Sequence, residues 1–317
     1  MHVLVTGGSG FIGRHVVHAL QSRGDDVSVL DQQPFPGGGV TLVQGDVRDP
    51  SALDQAMDAS RNGVDAVVHL AAVTSVLGSI EHPEETYAVN VAATAELLER
   101  ARRGGVLRVL FASTNAVVGA AVADLNGRLI DEDAPLRPLT PYGATKAAAE
   151  MLLSGWGAAY GLGAVSLRLT NVYGPGMAGK DSFVPRLMRA AHGGQGVEVY
   201  GDGAQARDYV YVGDVARAFL LLLDSSSGRT AGSGGVLTIG AGRSVSVNEL
   251  VRLARVAFDA PIPVTHVPAK PGEMPRVEVD ISRALLQCGF RPEVGLEEGL
   301  RLAWTNSGAP ATATPGR

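Results

Sequence analysis

Short apolar runs punctuate the first half of the chain at regular intervals. HVLVT is followed by a glycine cluster and then by FIGRHVVHAL, whose apolar residues recur at helical spacing. DVSVLD, VTLVQGD, DAVVHLAA, VLRVLFAST and GAVSLRLTNVYG follow as further runs. Between them lie segments such as SALDQAMDASRNG and YAVNVAATAELLERARRGG with helical patterning. Short strands alternating with helices of this length predict parallel βαβ units buried on both faces. The expected fold is α/β, with about the first 170 residues forming one doubly wound parallel sheet of Rossmann type.

After Asn171 the alternation stops. The stretch from GPGMAGKDSF to ARAFLLLL mixes loops, a short helix and a strand before a helix from about Gly213. SSSGRTAGSGG, 225–235, has the composition of a flexible loop, and VLTIGAGRSVSVNELVRLARVAF returns to strand and helix. The pattern divides the chain into a first lobe at 1–171, to which some later segments return, and a smaller, partly interleaved C-terminal lobe at 172–305. The second lobe is expected to close over the mouth of the sheet. Residues 306–317 lack apolar periodicity and are expected to be a disordered tail.

Charge and composition exclude several classes of function. The net charge is -5 with no basic run, which argues against a nucleic-acid partner. The single cysteine, Cys288, and seven scattered histidines give no metal-ligand spacing, so no metal is expected. No apolar run approaches the ~18 residues of a membrane span. A first strand beginning at His2 leaves no room for a secretory signal, so a soluble, cytoplasmic protein without membrane partners is expected.

The glycine cluster carries the first chemistry. Gly8-x-Gly10-x-x-Gly13, with Gly7 before it, lies between a strand and a helix start. There a pyrophosphate can approach the backbone and meet the open N–H groups of the helix, so Gly7, Gly10, Phe11, Ile12 and Gly13 are expected to line a dinucleotide. Asp31, ending the second strand, is placed for ribose hydroxyls and repels a 2′-phosphate, which favours NAD over NADP. Asp46 and Val47, beyond the third strand, are candidate adenine contacts.

A second signal is TPYGATKAAAE, because the chain has only three lysines, Lys146, Lys180 and Lys270. Thr140 suits a helix cap and Pro141 a first helical position, so Tyr142 and Lys146 share a face at i and i+4. A free phenol titrates near ~10 and is a poor base at neutral pH. A neighbouring ammonium and a cationic nicotinamide ring favour the phenolate, and the lysine can also hold the nicotinamide ribose. The fifth strand delivers Ser113 and Thr114 to the same end of the sheet, where a hydroxyl can bridge a substrate oxygen and the tyrosine.

With TGGSGFIG, HLAA, YAVNV, AST, PYGATK, RLTNVYGPG, RDYVYVGDVARA and PGEMPRVEVDISRALLQCGFRP in this order, the chain resembles the extended short-chain dehydrogenase/reductase family. Within it, the chain is most similar to the nucleotide-sugar epimerase/dehydratase branch, over about residues 2–305. The resemblance implies tightly bound NAD and a nucleoside diphosphate sugar as substrate. It implies Thr114, Tyr142 and Lys146 as the catalytic triad, Leu70, Ala71 and Ala72 passing under the cofactor, and Asn90 near its pyrophosphate and ribose. Asn171 and Arg207 are implied as phosphate ligands, with Val184, Val199 and Tyr200 around the nucleobase. The family's arginine-x-glycine-aspartate motif reads Lys270-Pro271-Gly272-Glu273 here, which loses the bidentate guanidinium, so Arg276 is expected to share its work. A homodimer formed through the tyrosine-bearing helix is also implied.

The resemblance further implies which reaction to expect. The 4,6-dehydratases carry threonine-aspartate-glutamate where this chain has Thr114-Asn115-Ala116, without acid or base for water elimination. The expectation is therefore 4-epimerisation of a UDP-sugar through a 4-keto intermediate that turns before hydride returns. Arg186 is a candidate partner for a C6 carboxylate, so the UDP-glucuronate and UDP-glucose pairs rank together, with N-acetylhexosamines next. The competing readings are a net dehydrogenase of a small polyol or hydroxy acid and a non-catalytic NAD sensor.

Overall fold

The computed structural model describes residues 1–59, 63–125, 128–194, 196–224, 235–269 and 274–307. The chain divides into two compact units. The first comprises Met1–Thr170, Val215–Ile239 and Ile281–Phe290, and the second Asn171–Asp214, Gly240–Asp280 and Arg291–Arg317.

The first unit is built on β1 (His2–Thr6), β2 (Asp26–Asp31), β3 (Thr41–Gln44), β4 (Ala66–His69), β5 (Arg108–Thr114) and β6 (Gly163–Leu169). Two strands follow later in the chain as β7 (Asn171–Tyr173) and β8 (Val197–Tyr200), then β9 (Ala206–Tyr211), β10 (Gly235–Ile239), β11 (Ser244–Ser246) and β12 (Val264–Val267). Seven of these form one parallel sheet in the order β10-β6-β5-β4-β1-β2-β3. β4, β5 and β6 are apolar runs buried on both faces, as a sheet covered by helices requires. On one face Leu4, Val67, Val109 and Phe111 pack with Leu97, Leu98 and Leu153.

The sequence of the strands reverses direction between β1 and β4, and the ligand site of such a sheet lies beyond the carboxyl ends of its strands at that point. Two features add to the six apolar runs of the first 170 residues. Gly235–Ile239 adds a seventh strand beside β6. The run GAVSLRLTNVYG is two strands, because Thr170 donates its N–H to Ile239 O while Asn171 begins pairing with β9. No glycine or proline marks the break. The flexible loop expected at 225–235 lies, through 234, outside the described residues, as does the expected tail from 308 onward.

The second unit holds a three-stranded sheet, β11-β9-β7, and a parallel pair, β12-β8. Its helices include Phe183–Gly193, Val247–Phe258 and Leu296–Thr305. Among the described residues, no helix is long and apolar enough to cross a membrane.

Candidate active site

Gly7 follows β1 with φ +73, a left-handed conformation, and its Cβ position falls 2.6 Å from Ala71 N and 2.8 Å from the Leu70 carbonyl carbon. Only glycine lets the turn lie flat against the chain leaving β4. A side chain at Gly13 would run into the carbonyl oxygen of Gly7 and lie 2.7 Å from Gly8 Cα. The helix Phe11–Arg23 can therefore start directly on the turn. Gly10 is its N-cap and offers no side-chain cap, so the first-turn N–H groups, including those of Phe11 and Ile12, keep the character of an anion site. Asp31 Oδ2 accepts from Ser9 N at 2.9 Å and Oδ1 from Gln33 N at 2.9 Å, which fixes the carboxylate beside the glycine turn. This cradle fits a dinucleotide, since a left-handed glycine turn, a helix N-terminus without a side-chain cap and a fixed carboxylate come together there.

Asp46 is tied to the protein itself. Its oxygens accept from Gln32 Nε2 at 2.9 Å and from Arg48 Nε and Nη2, and the Arg48 guanidinium holds its carboxyl below the usual carboxylate value. Asp46 thus joins the loops after β2 and β3, while Val47 is buried behind it.

The helix Pro141–Tyr160 begins as its sequence suggests. Thr140 Oγ1 accepts from Gly143 N at 3.2 Å and Pro141 is the first helical residue. Tyr142 is half-buried; burial pushes its phenol above the ordinary 10, and a hydrogen bond with Thr114 pulls the other way. Thr114 Oγ1 accepts from Ala116 N at 3.2 Å, which orients its hydroxyl at the end of β5. Lys146 is 2 % exposed, donates from Nζ to Ala112 O at 2.8 Å and lies 4.4 Å from the centre of the Phe111 ring. Burial lowers its ammonium to about 7, with the Glu150 carboxylate opposing that shift. The structure therefore gathers Thr114, Tyr142 and Lys146 at the carboxyl end of β5.

Two expected ligands are committed elsewhere. Ser113 is buried and its hydroxyl donates to Glu150, so it faces the interior and not the mouth of the sheet. Asn90 lies in a π-helical turn, Ala88–Ala92, with its amide spent on Val73 N, Val73 O and Thr145 Oγ1. It clamps the chain after β4, which includes Leu70, Ala71 and Ala72, to the helix carrying Tyr142.

Sequence reasoning missed His69. Buried at the end of β4, it accepts at Nδ1 from Thr6 Oγ1 (2.6 Å) and donates from Nε2 to Thr94 Oγ1 (2.9 Å). The direction follows from the neighbours: Thr94 spends its own proton on Asn90 O, and Thr6 Oγ1 accepts from Ala71 N. Burial, with a smaller push from Lys146, lowers its imidazole to about 3, so it stays neutral. The second missed residue is Glu150, whose only sequence signal is its place one turn beyond Lys146 on the face of Tyr142. Next to Thr114, Asn115 has both side-chain amide atoms buried without a hydrogen-bond partner.

The second unit holds the remaining candidates. Asn171 Nδ2 donates to Asp208 O at 2.9 Å, and Arg207 Nη1 donates to Ala206 O and to Met274 O. Arg207 is thereby tied to the segment carrying Arg276, which runs beside Ala206. Arg276 pairs with Glu278, and Arg186 forms a two-pronged pair with Asp181 at 2.8 and 2.9 Å. Val184 and Val199 are buried in the unit and Tyr200 is half-buried. Lys270 and Glu273 lie outside the described residues. Among the described residues, no group of three His, Cys, Asp or Glu could hold a metal ion.

The profile of the NAD dependent epimerase/dehydratase family matches residues 3–240. The chain belongs to that family. It is 33 % identical over 310 residues to a putative UDP-glucose 4-epimerase of Methanocaldococcus jannaschii, covering 94 % of this chain and 96 % of that one. It is 35 % identical over 314 residues to a dTDP-glucose 4,6-dehydratase of Mycobacterium tuberculosis, covering 95 % and 91 %. The solved structure of MoeE5 in complex with UDP-glucuronic acid and NAD superposes with a TM-score of 0.85 at 37 % identity, covering 96 % of this chain and 99 % of that one. The chain is therefore an NAD-dependent enzyme of the nucleotide-sugar epimerase/dehydratase type. Relatives of both reaction types lie at similar identity, so overall similarity does not separate epimerase from dehydratase.

Proposed function

We propose that the protein is an NAD-dependent 4-epimerase acting on a UDP-sugar, either the UDP-glucuronate/UDP-galacturonate or the UDP-glucose/UDP-galactose pair. The observation that carries this reading is the Thr114–Tyr142–Lys146 set at the end of β5 with an amide and a methyl group, Asn115 and Ala116, following the threonine. Neither can give or take a proton as water elimination demands. The similarity to epimerases and to MoeE5 with its UDP-sugar ligands supports the substrate class.

The cradle residues Gly7, Gly10, Phe11, Ile12 and Gly13 would hold the pyrophosphate of NAD, and Asp31 its adenosine ribose. The chemistry NAD supplies when bound is reversible hydride exchange with C4 of the sugar. In the protein alone burial keeps the proton on the Tyr142 phenol; a cationic ring nearby favours the phenolate. As phenolate, Tyr142 takes the proton of the 4-hydroxyl while Thr114 donates to the same phenolic oxygen. The 4-keto sugar turns, and Tyr142 then returns the proton. Met151 and Tyr160, each more than half exposed on the Tyr142 helix, are the surface we assign to a second copy of the chain; sedimentation of a Met151→Glu variant tests that assignment.

The function is tested by incubating the protein with UDP-glucuronate, UDP-glucose and UDP-N-acetylglucosamine separately and resolving the products. A 4-epimer formed without accumulation of reduced nicotinamide is the expected result. Steady accumulation of reduced nicotinamide with a polyol, and three unchanged UDP-sugars, would move the dehydrogenase reading to the front.

A further inference from the structure

The face of the helix Pro141–Tyr160 that carries Tyr142 and Lys146 continues one turn further to Glu150, which is 1 % exposed. Glu150 is the centre of a buried charge relay inside the first unit. Arg168 of β6, itself 3 % exposed, meets both carboxylate oxygens, with Nη2 to Oε2 at 2.8 Å and Nε to Oε1 at 3.1 Å. Ser113 of β5 donates to Oε1. Arg168 Nη1 continues to the carbonyl of Glu132 at 3.1 Å. The Glu132 carboxylate in turn accepts from Thr238 N at 2.7 Å and pairs with Arg283 at 3.3 Å.

A buried ion pair of this kind is a poor source of stability, because desolvating two charges offsets most of their attraction. Its position suggests another use. Among the described residues, the groups facing Lys146 are Glu150 on its own helix, the neutral His69 from β4, and the Phe111 ring and Ala112 carbonyl from β5, with Tyr142 one turn before it on the same helix face. Glu150 is thus the anion nearest in effect to Lys146, and Arg168 neutralises part of it.

We propose that Glu150 is a positioning residue for the reaction, and that its pairing with Arg168 sets how much negative charge reaches Lys146 and hence the pH range in which Tyr142 works. The inference rests on the triad reading of the site. Removing the carboxylate while Arg168 stays leaves net positive charge beside Lys146, which favours proton loss from both Lys146 and Tyr142. Removing both partners cancels most of that effect. A purely structural role predicts the reverse ordering, or no movement of the profile at all.

The experiment is the pH profile of kcat/KM for the holoenzyme with whichever of UDP-glucuronate and UDP-glucose turns over. Glu150→Gln should move the profile to lower pH by about one unit. Glu150→Asp, which keeps the charge, should leave it near the wild-type position, and Glu150→Gln/Arg168→Gln should recover more than half the shift. An unmoved Glu150→Gln profile, or a double variant displaced as far as the single one, overturns the proposal. If Glu150→Gln does not fold, Arg168→Gln carries the test with the opposite sign, a shift to higher pH supporting it and no shift overturning it.

Tyr142→Phe belongs in the same series. Wild-type turnover in that variant would sink the triad reading whatever Glu150 does, whereas an inactive Tyr142→Phe beside an unmoved Glu150→Gln profile sinks this inference alone. If neither sugar turns over, urea unfolding against pH reads Lys146 directly. Its rise of stability with pH, absent in Lys146→Met, should begin at lower pH in Glu150→Gln; the same onset as wild type overturns the proposal.

Discussion

Asn90 holds Val73 by both of its main-chain groups: Oδ1 accepts from the Val73 N–H at 2.9 Å, and Nδ2 donates to the Val73 carbonyl at 3.0 Å. The same Nδ2 reaches Thr145 Oγ1 at 3.1 Å, and Thr145 donates onward to Tyr142 O. One side chain therefore couples the strand exit beneath the glycine turn to the first turn of the Tyr142 helix. Asn90→Ala leaves those backbone groups buried without partners, a cost of about 2–3 kcal/mol. It should also weaken NAD binding, because Leu70–Ala72 are no longer held against Gly7. Asn90→Asp keeps the acceptor and loses both donations, so it should fall between the two. Chemical unfolding and NAD titration of both variants check this; unchanged affinity in Asn90→Ala would show that the segment is held by other means.

His69 makes the stability of the first unit acid-sensitive. Its imidazole lies at about 3 in the folded chain, against an ordinary 6.5, because burial penalises the cation. Between those two values the unfolded chain binds more protons, so stability rises with pH through this window and is lost as pH falls toward about 3. His69→Phe removes the titrating group while filling similar space next to Phe111, whose ring centre is 5.6 Å away. That variant should be less stable near neutrality by about 2 kcal/mol, since Thr6 and Thr94 lose a buried partner. Its stability should also depend less on pH in the acid window. Unfolding midpoints across that window give the answer, and a wild-type acid slope in His69→Phe would contradict it.

Much of this architecture is legible in the chain because it is written locally. β1, the glycine turn and the helix from Phe11 are contiguous, and each glycine answers a constraint within a few residues or at the neighbouring strand. The cap at Thr140, the proline at 141 and the i, i+4 spacing of Tyr142 and Lys146 are likewise local. What the sequence hides is pairing across distance. The strand Gly235–Ile239 rejoins the sheet beside β6 after a long excursion, and the break at Thr170 depends on that return. Ser113 reads as a polar residue at a strand end, and only the fold reveals that Glu150 and Arg168 claim its side of β5. His69 looks like one polar residue in an apolar strand; its role follows from Thr6 and Thr94, which lie far apart in sequence.

Asp31 should decide the choice of dinucleotide. Its carboxylate is fixed by the N–H groups of Ser9 and Gln33, so it cannot swing away from a 2′-phosphate without breaking both bonds. Asp31→Asn keeps similar geometry and removes the negative charge. NAD affinity should fall by about tenfold with the loss of a charged hydrogen bond to the ribose, and the preference over NADP should narrow. Parallel titrations with NAD and NADP measure both effects, and an unaltered preference would place discrimination elsewhere.

Thr114 separates the proton chemistry from the folding of the loop that carries it. Its Oγ1 accepts from Ala116 N at 3.2 Å and caps the short turn Asn115–Val117, while its hydroxyl also bonds the Tyr142 phenol. Thr114→Ser keeps both bonds and should retain most of the turnover. Thr114→Val keeps the shape but loses both. The hydrogen bond that favours the phenolate disappears, and the Tyr142 phenol, already raised by burial, rises further. The acid limb of the rate profile should then move to higher pH, and turnover at neutral pH should fall by about a hundredfold. Tyr142→Phe should abolish turnover while leaving NAD affinity within about twofold, because the cradle around Gly7 and Asp31 does not use the phenol. A Thr114→Val enzyme slowed equally at every pH would mean that the threonine serves only to cap the turn.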